Sequence, residues 1–136
     1  LELELTERLF MDDPQQIIRV LKELRDCGIQ SSIDDYGTGY CSLQYLKQLP
    51  INVLKIDRAF IETLVDDRAD QAIVRSTIEL CHTLGIGVVA EGVEDRQTLE
   101  KLVALGCDMA QGYYLSRPLP MDQLLARLDE GVFQFE

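Results

Sequence analysis

Four ionisable side chains in this sequence lie where short strand-like runs end. Asp34 and Asp35 adjoin each other in "SSIDDYGTGYCSL", Lys55 lies in "NVLKID", and Glu91 lies in "IGVVAEG". Carboxylates that converge repel one another unless a cation lies between them, and their oxygens suit Mg²⁺, Mn²⁺ or Ca²⁺ better than softer metals. Two adjacent aspartates can serve two such ions. The pattern therefore predicts a divalent-metal site.

The segments that must position these side chains alternate between strand and helix patterns. The apolar periodicity predicts five strands and five helices. The strands are 2–7, 29–35, 52–57, 86–92 and 107–115, and the helices are 14–28, 42–49, 68–85, 95–106 and 121–131. Glycines at the ends of three of the helices introduce the strands that follow them. Alternation of this kind predicts parallel βα units in an α/β fold.

Polar side chains recur at the C-terminal ends of the predicted strands, whereas the strand starts are apolar. They are Glu4 and Glu7, Asp34 and Asp35, Lys55 and Asp57, Glu91 and Glu94, and Gln111. Ligand sites of parallel α/β folds lie outside these strand ends. A doubly wound sheet and a TIM (β/α)₈ barrel both fit, but a barrel typically needs about 250 residues. The 136 residues would then form its C-terminal half, about five βα units.

Composition excludes several classes of partner. The formal net charge of −11 argues against a DNA or RNA polymer, whose binding proteins carry basic faces. No run approaches the roughly 18 apolar residues of a membrane span. Four cysteines without CxxC spacing and a single histidine favour free thiols in a reducing compartment over zinc or disulfides. We expect a cytoplasmic domain without membrane contact, whose parent protein is anchored, if at all, through other domains.

Five motifs in this order resemble those of the EAL-domain phosphodiesterases. They are "ELTE" (4–7), "DDYGTGYCSL" (34–43), "LKIDRAFI" (54–61), "AEGVE" (90–94) and "QGYYLSRPLP" (111–120). That family adopts a TIM-like barrel and hydrolyses cyclic di-GMP to linear pGpG. Tyr36 stands where Phe is commoner and Cys41 where Ser is commoner, and neither position is charged. The resemblance implies that residues 1–136 are the C-terminal portion of one EAL domain.

The resemblance implies a role for each charged motif residue. Glu4, Asp34, Asp35 and Glu91 would bind Mg²⁺ or Mn²⁺ in a two-metal site, with Asp34 a candidate bridge. Glu91 is alternatively the group that deprotonates the attacking water. Lys55 would be the catalytic lysine beside the scissile phosphate, where an ammonium stabilises charge that develops on phosphoryl oxygens.

Five further roles follow from the same resemblance. Glu7 would anchor the loop that follows Asp35, and in the family this loop couples metal binding to homodimer contacts. Substrate-contacting or supporting roles are implied for Asp57, Glu94, Gln111 and Tyr113. Tyr113 would pack against a guanine, and Asp57 shares a strand face with Lys55 if the strand is regular.

Ordinary structural roles remain open for these residues. The aspartate pair can form a turn or a cap before Gly37. Glu91 and Glu94 can complement the dipole of the helix that starts at Asp95. Glu4 and Glu7 can be surface residues, and Gln111 and Tyr113 suit structural positions equally well.

The function expected for the parent protein is cleavage of cyclic di-GMP. The family's Glu-Ala-Leu motif and a metal-binding Asn lie upstream of the matched motifs and are not among these residues. We therefore expect this piece alone to be inactive or nearly so. The alternative is a degenerate domain that binds cyclic di-GMP or a protein partner without catalysis. Such domains often lack the aspartate pair, the lysine or the glutamate of "EGVE", and all are present here.

Overall fold

The computed structural model describes residues 1–10, 12–37 and 42–129. Five strands alternate with six helices, and a 3₁₀ turn follows the first strand. The strands are β1 (Glu2–Thr6), β2 (Gln30–Tyr36), β3 (Val53–Ile56), β4 (Gly87–Glu91) and β5 (Met109–Gln111). The 3₁₀ turn is Glu7–Phe10, and the helices are α1 (Pro14–Asp26), α2 (Leu43–Gln48), α3 (Arg58–Glu62), α4 (Arg68–Thr83), α5 (Arg96–Ala104) and α6 (Met121–Asp129).

The five strands form one sheet in the order β1-β2-β3-β4-β5, and every neighbouring pair is parallel. A doubly wound sheet reverses its strand order at a switch point, whereas a barrel adds each strand beside the one before. The sequential order therefore favours the barrel architecture. It also places the C-terminal ends of all five strands at the same end of the sheet.

The core lies between the sheet and the helices that cover its outer face. Ile33, Leu54 and Val88 of the central strands and Val74 and Ile78 of α4 are at most 1% exposed. Burial of each such side chain contributes roughly 1.5–3 kcal/mol. Because side chains alternate along a strand, burial of Leu54 on the helix side turns its neighbours to the other, concave face. On that face, charged residues such as Glu4 and Lys55 lie beside apolar ones such as Val53 and Val89.

The structure corrects the predicted elements at two places. The strand predicted over 107–115 is a strand only over Met109–Gln111. The N–H of Tyr114 donates to the carbonyl of Val93 at 3.0 Å, and a Cβ on Gly112 would lie 2.1 Å from that carbonyl oxygen. This close backbone approach ends β5 in a turn. The second error is the short helix α3, which the periodicity did not reveal.

The described residues include three of the four cysteines. Cys27, Cys81 and Cys107 are free thiols, as predicted, and Cys41 lies outside the described residues. None of the helices in the described ranges has both the length and the apolarity needed to cross a bilayer.

Asp108 joins α4 to the starts of β4 and β5. Its Oδ2 accepts from the N–H of Val88 at 2.8 Å and lies 2.8 Å from Nε2 of His82. Partial burial alone would raise the pKa of Asp108, but hydrogen bonds from His82 and Val88 outweigh burial and lower the pKa. A lowered carboxylate pKa stabilises the fold above the unfolded pKa, and this stability is lost as pH falls through the folded pKa.

We expect Asp108→Ala to lower the free energy of unfolding by about 1–3 kcal/mol, because the buried N–H of Val88 loses its acceptor. Asp108→Asn keeps an acceptor oxygen and is expected to lose less. Urea unfolding at pH 7 measures both losses. At pH 3, the difference in free energy of unfolding between the wild type and Asp108→Asn should be smaller than at pH 7. An Ala variant as stable as the wild type would contradict this role.

Candidate metal centre

The candidate site lies at the C-terminal end of the sheet, where four strands deliver charged side chains. The parallel register pairs Thr6 with Asp34, Ile56 with Ala90, and Glu91 with Gln111. Tyr36 also pairs with Ile56, so the C-terminal ends of all five strands lie at the same end of the sheet. The topology thus gathers residues that are far apart in the sequence.

Three carboxylates form a cluster at this end of the sheet. Asp34, Asp35 and Glu91 each offer an oxygen, and these oxygens all lie within 4.8 Å of one another. An all-oxygen donor set of this kind fits a hard divalent cation such as Mg²⁺ or Mn²⁺. These three residues are among those that the sequence pattern places at this end of the sheet, and metal binding by them stays a prediction.

Proton binding reflects the crowding of negative charge in the cluster. Burial, followed by the hydrogen bond and the charge of Asp34, raises the pKa of Glu91 to about 7. Burial and the charges of Asp34 and Asp57 raise the pKa of Asp35. The metal-free cluster therefore holds a proton over part of the neutral pH range, and a divalent cation that binds there must displace it.

A bulge lets two adjacent side chains of β2 join one cluster. Neighbouring residues of a regular strand point to opposite faces. The register between β2 and β3 shifts between Ile33 and Tyr36, and Asp35 has a left-handed φ of 54°. The N–H of Asp35 donates to Oδ1 of Asp34 at 2.9 Å, which supports this turn. Bulges re-aim side chains in this way, and aspartate tolerates the left-handed region better than most residues.

Lys55 projects from β3 beside the carboxylate cluster. Its Nζ contacts the carboxylate of Glu4 and lies 3.9 Å from Oε1 of Glu91. Burial, the largest single influence, lowers the pKa of Lys55, but the contact with Glu4 and the charges of Asp34 and Glu91 together raise it overall. Lys55 is therefore cationic at neutral pH. Only 11% of its side chain is exposed, so its position is well constrained.

Glu4 lies apart from the three-carboxylate cluster. Within the described ranges, that cluster contains Asp34, Asp35 and Glu91, while Glu4 pairs with Lys55. A role for Glu4 as a metal ligand stays a prediction. Glu4 and Lys55 also line a cavity of about 400 Å³ on the concave face of the sheet, together with apolar residues such as Val89.

Glu7 is a buried acid next to the segment that follows the aspartate pair. It is 2% exposed and begins the 3₁₀ turn rather than ending β1. The N–H of Gly37 donates to Oε1 of Glu7 at 3.5 Å. The surface position left open for Glu7 is thus wrong, whereas its role as loop anchor stays a prediction. Residues 38–41, and with them the predicted dimer loop, lie outside the described residues.

Asp57 takes a different position from the one expected. It lies just beyond β3, and its Oδ2 accepts from the N–H of Ala59 at 3.2 Å, which caps α3. Its side chain also hydrogen-bonds to Asp35 and helps to raise the pKa of that carboxyl. Asp57 therefore acts on the carboxylate cluster rather than as a regular strand neighbour of Lys55.

A second cavity of about 270 Å³ adjoins the cluster. Glu91, Glu94, Gln111 and Tyr113 line it, together with Arg58 and two glycines. Arg58 was missed as a site residue. It donates from Nη2 to Oε1 of Glu94 at 2.7 Å, and the only signal in the sequence was a basic residue next to Asp57. The four predicted residues thus share one cavity.

Comparison with known proteins identifies the family. The family model described as "EAL domain" matches residues 1–118. MucR of Pseudomonas aeruginosa, a bifunctional diguanylate cyclase/cyclic di-GMP phosphodiesterase, is 49% identical over 124 residues, which are 91% of this chain and 18% of MucR. The family predicted from the five motifs is confirmed.

Solved structures confirm the barrel class. The c-di-GMP complex of the MucR phosphodiesterase matches with a TM-score of 0.86 and 48% identity, over 91% of this chain and 50% of that chain. A manganese/cy-diGMP complex of BlrP1 from Klebsiella pneumoniae matches with a TM-score of 0.80 and 37% identity, over 86% of this chain and 30% of that chain. This chain therefore spans half or less of these TIM-barrel proteins.

Proposed function

Because the chain belongs to the EAL domain family, we propose that it is the C-terminal portion of a domain that hydrolyses cyclic di-GMP to linear pGpG. The observation that carries the proposal is the meeting of Lys55 with a three-carboxylate cluster at one end of the sheet. A phosphodiester is anionic, so an acidic surface alone would repel it. The proposal therefore includes Mg²⁺ or Mn²⁺ in the cluster.

Asp34, Asp35 and Glu91 are the residues we assign to hold the metal. When bound, it would supply charge neutralisation at the phosphate and a lower pKa for a bound water. Glu91 gives up its proton when it becomes a ligand, since ligands must be deprotonated. The carboxylate of Asp57 adds negative charge beside Asp35 and raises its pKa, so we assign Asp57 to the acidic surroundings that favour a bound cation.

We assign Lys55 to the phosphoryl oxygens of the substrate. Its ammonium is constrained by burial and lies between the carboxylates of Glu4 and Glu91. A preorganised cation in a partly dry site stabilises charge that develops in a transition state more than a solvated cation does. Glu4 holds the ammonium at this end of the sheet, and its further role as a metal ligand is part of the proposal for the complete domain.

The cavity beside the cluster suits a guanine base. Guanine presents N1–H and an exocyclic amine as donors, and the carboxylate of Glu94 is an acceptor in this cavity. The amide of Gln111 can pair with the remaining polar edge. The ring of Tyr113, with Arg117 placed 5.0 Å from its centroid, offers a face for stacking. These three residues would therefore orient the nucleotide while the cluster engages the phosphate.

Turnover assays on the complete domain and on this 136-residue chain test the proposal together. With Mg²⁺ or Mn²⁺, the complete domain is expected to convert cyclic di-GMP into pGpG, measured by chromatography. The 136-residue chain is expected to show little or no turnover, because further ligands of the family's site lie outside it. Binding without turnover by the complete domain would favour the receptor alternative. Robust turnover by this chain alone would contradict the second expectation.

A further inference from the structure

Arg58 contacts two carboxylates on two different elements. It is the first residue of α3, and its Nε contacts Glu62 one turn further along the same helix. Its Nη2 donates to Oε1 of Glu94, which lies in the loop between β4 and α5. The planar guanidinium can serve both partners because its donors project in fixed directions. Arg58 thus links α3 to the loop that follows Glu91.

The aliphatic part of Arg58 packs against the backbone of the same loop. Gly92 has a φ of +80°, and a Cβ added there would lie 2.4 Å from Cγ of Arg58. Only glycine combines this backbone conformation with so close an approach. One side chain therefore contacts both Gly92, which follows Glu91, and the carboxylate of Glu94, two residues after Gly92.

These contacts do little for folding stability. The side chains of Arg58 and Glu94 are 54% and 48% exposed, and exposed ion pairs typically contribute little. Their main effect is on the orientation of the Glu94 carboxylate. The hydrogen bond occupies Oε1 of Glu94, so the carboxylate is held in one orientation and Oε2 is left to accept from a ligand in the adjoining cavity.

We propose that Arg58 is a positioning residue, which holds the Glu94 carboxylate and the Gly92 turn in the geometry that receives a guanine base. The assignment rests on the proposed function, since it names the device that prepares the base cavity of the same site. Two nitrogens of Arg58, Nε and Nη2, already face Glu62 and Glu94, and the link from Arg58 to the base that we propose runs through the carboxylate of Glu94. Arg58 therefore tunes recognition of the base and leaves the phosphate to Lys55 and the cluster.

The test is equilibrium binding of cyclic di-GMP and of cyclic di-IMP to the complete domain. Cyclic di-IMP lacks the exocyclic amine, a donor that the proposal pairs with the carboxylate of Glu94. Arg58→Gln is expected to weaken cyclic di-GMP binding about 10-fold, since a charge-assisted hydrogen bond no longer orients the acceptor. Its preference for cyclic di-GMP over cyclic di-IMP should fall. Arg58→Lys keeps one charge and the packed stem, so it should lose less.

A matched control is present on α5. Arg96 pairs with Glu100 at 2.8 Å in the same i,i+4 arrangement, and both side chains are more than 60% exposed. Arg96→Gln should change neither affinity nor base preference. Melting temperatures of Arg58→Gln and Arg96→Gln are both expected within about 2 °C of the wild type.

The double variant separates positioning from an independent contact. If Arg58 acts through Glu94, Arg58→Gln combined with Glu94→Gln should bind no more weakly than Glu94→Gln alone. Additive losses, or an Arg58→Gln variant with unchanged affinity and base preference, would overturn the assignment while the proposed function stands. A wild-type domain that does not bind cyclic di-GMP would overturn both.

Discussion

Replacement of Lys55 by methionine is expected to reduce turnover of cyclic di-GMP by the complete domain about 100- to 1,000-fold. Methionine is slightly shorter than lysine but keeps an unbranched apolar side chain in the buried part of the site, so the fold should persist. What is lost is the ammonium that contacts Glu4 and lies 3.9 Å from Glu91. Turnover should fall mainly through kcat, because the charge on the phosphoryl oxygens grows in the transition state.

Loss of the ammonium also acts on the neighbouring carboxylate. The charge of Lys55 lowers the pKa of Glu91, although burial and Asp34 raise it to about 7 overall. Lys55→Met should therefore raise the pKa of Glu91 further and weaken metal binding at neutral pH. Assays at pH 8.5 and saturating Mn²⁺ remove this secondary effect. Recovery of full activity under those conditions would contradict direct action of Lys55 on the substrate.

Lys55→Arg is the control that keeps a positive charge at this position but changes the shape of the cationic group. Arginine keeps a cation at this position, but its planar fork does not reproduce a compact ammonium. Partial activity is expected, above that of Lys55→Met and below that of the wild type. Equal activity of the methionine and arginine variants would show that the charge itself is unimportant.

The central sheet and most of the helices could be predicted because their signals are local. The apolar run around Leu54, for example, reads as a buried strand without any knowledge of its partners. The turn after Gln111 could not be predicted, because it depends on a backbone contact between Tyr114 and Val93. The helix Arg58–Glu62 is only five residues long, which is too short for helical periodicity to register.

The sequence predicts where the candidate site lies, but it does not predict which side chains contact one another there. Parallel topology alone brings Asp34 and Glu91 to one end of the sheet, so polar residues at strand ends are a sufficient signal. The bulge that turns Asp35 into the cluster leaves no mark in an alternating pattern. The pairing of Arg58 with Glu94 depends on side-chain conformations across 36 residues of sequence, for which periodicity carries no information.

Removal of one carboxylate from the cluster should weaken metal binding strongly. We expect Asp34→Asn to weaken Mn²⁺ affinity at least about 100-fold, which is the upper end of the loss seen when only a supporting partner of a ligand is removed. Asp34 carries the largest electrostatic influence on Glu91 after burial, so the pKa of Glu91 should fall in this variant. Electron paramagnetic resonance titration of free Mn²⁺ with the complete domain gives the affinities.

Asp66→Asn is the matched control for that substitution. It removes one carboxylate from an exposed turn outside the cluster, with the same change in net charge. General electrostatic attraction of Mn²⁺ to an acidic protein would weaken equally in both variants. A specific site requires that only Asp34→Asn loses affinity, and equal losses would contradict the assignment of the cluster as a metal centre.

The pH dependence of Mn²⁺ affinity gives an independent measure of the same cluster. Glu91 must lose its proton to become a ligand, and its pKa is raised to about 7. Affinity should therefore rise with pH across the neutral range and level off above it, with close to one proton released per site at pH 6. In Asp34→Asn the rise should move to lower pH, because the neighbouring charge that raises the pKa of Glu91 is gone. An affinity that does not change between pH 6 and pH 8 would mean that Glu91 is not among the ligands.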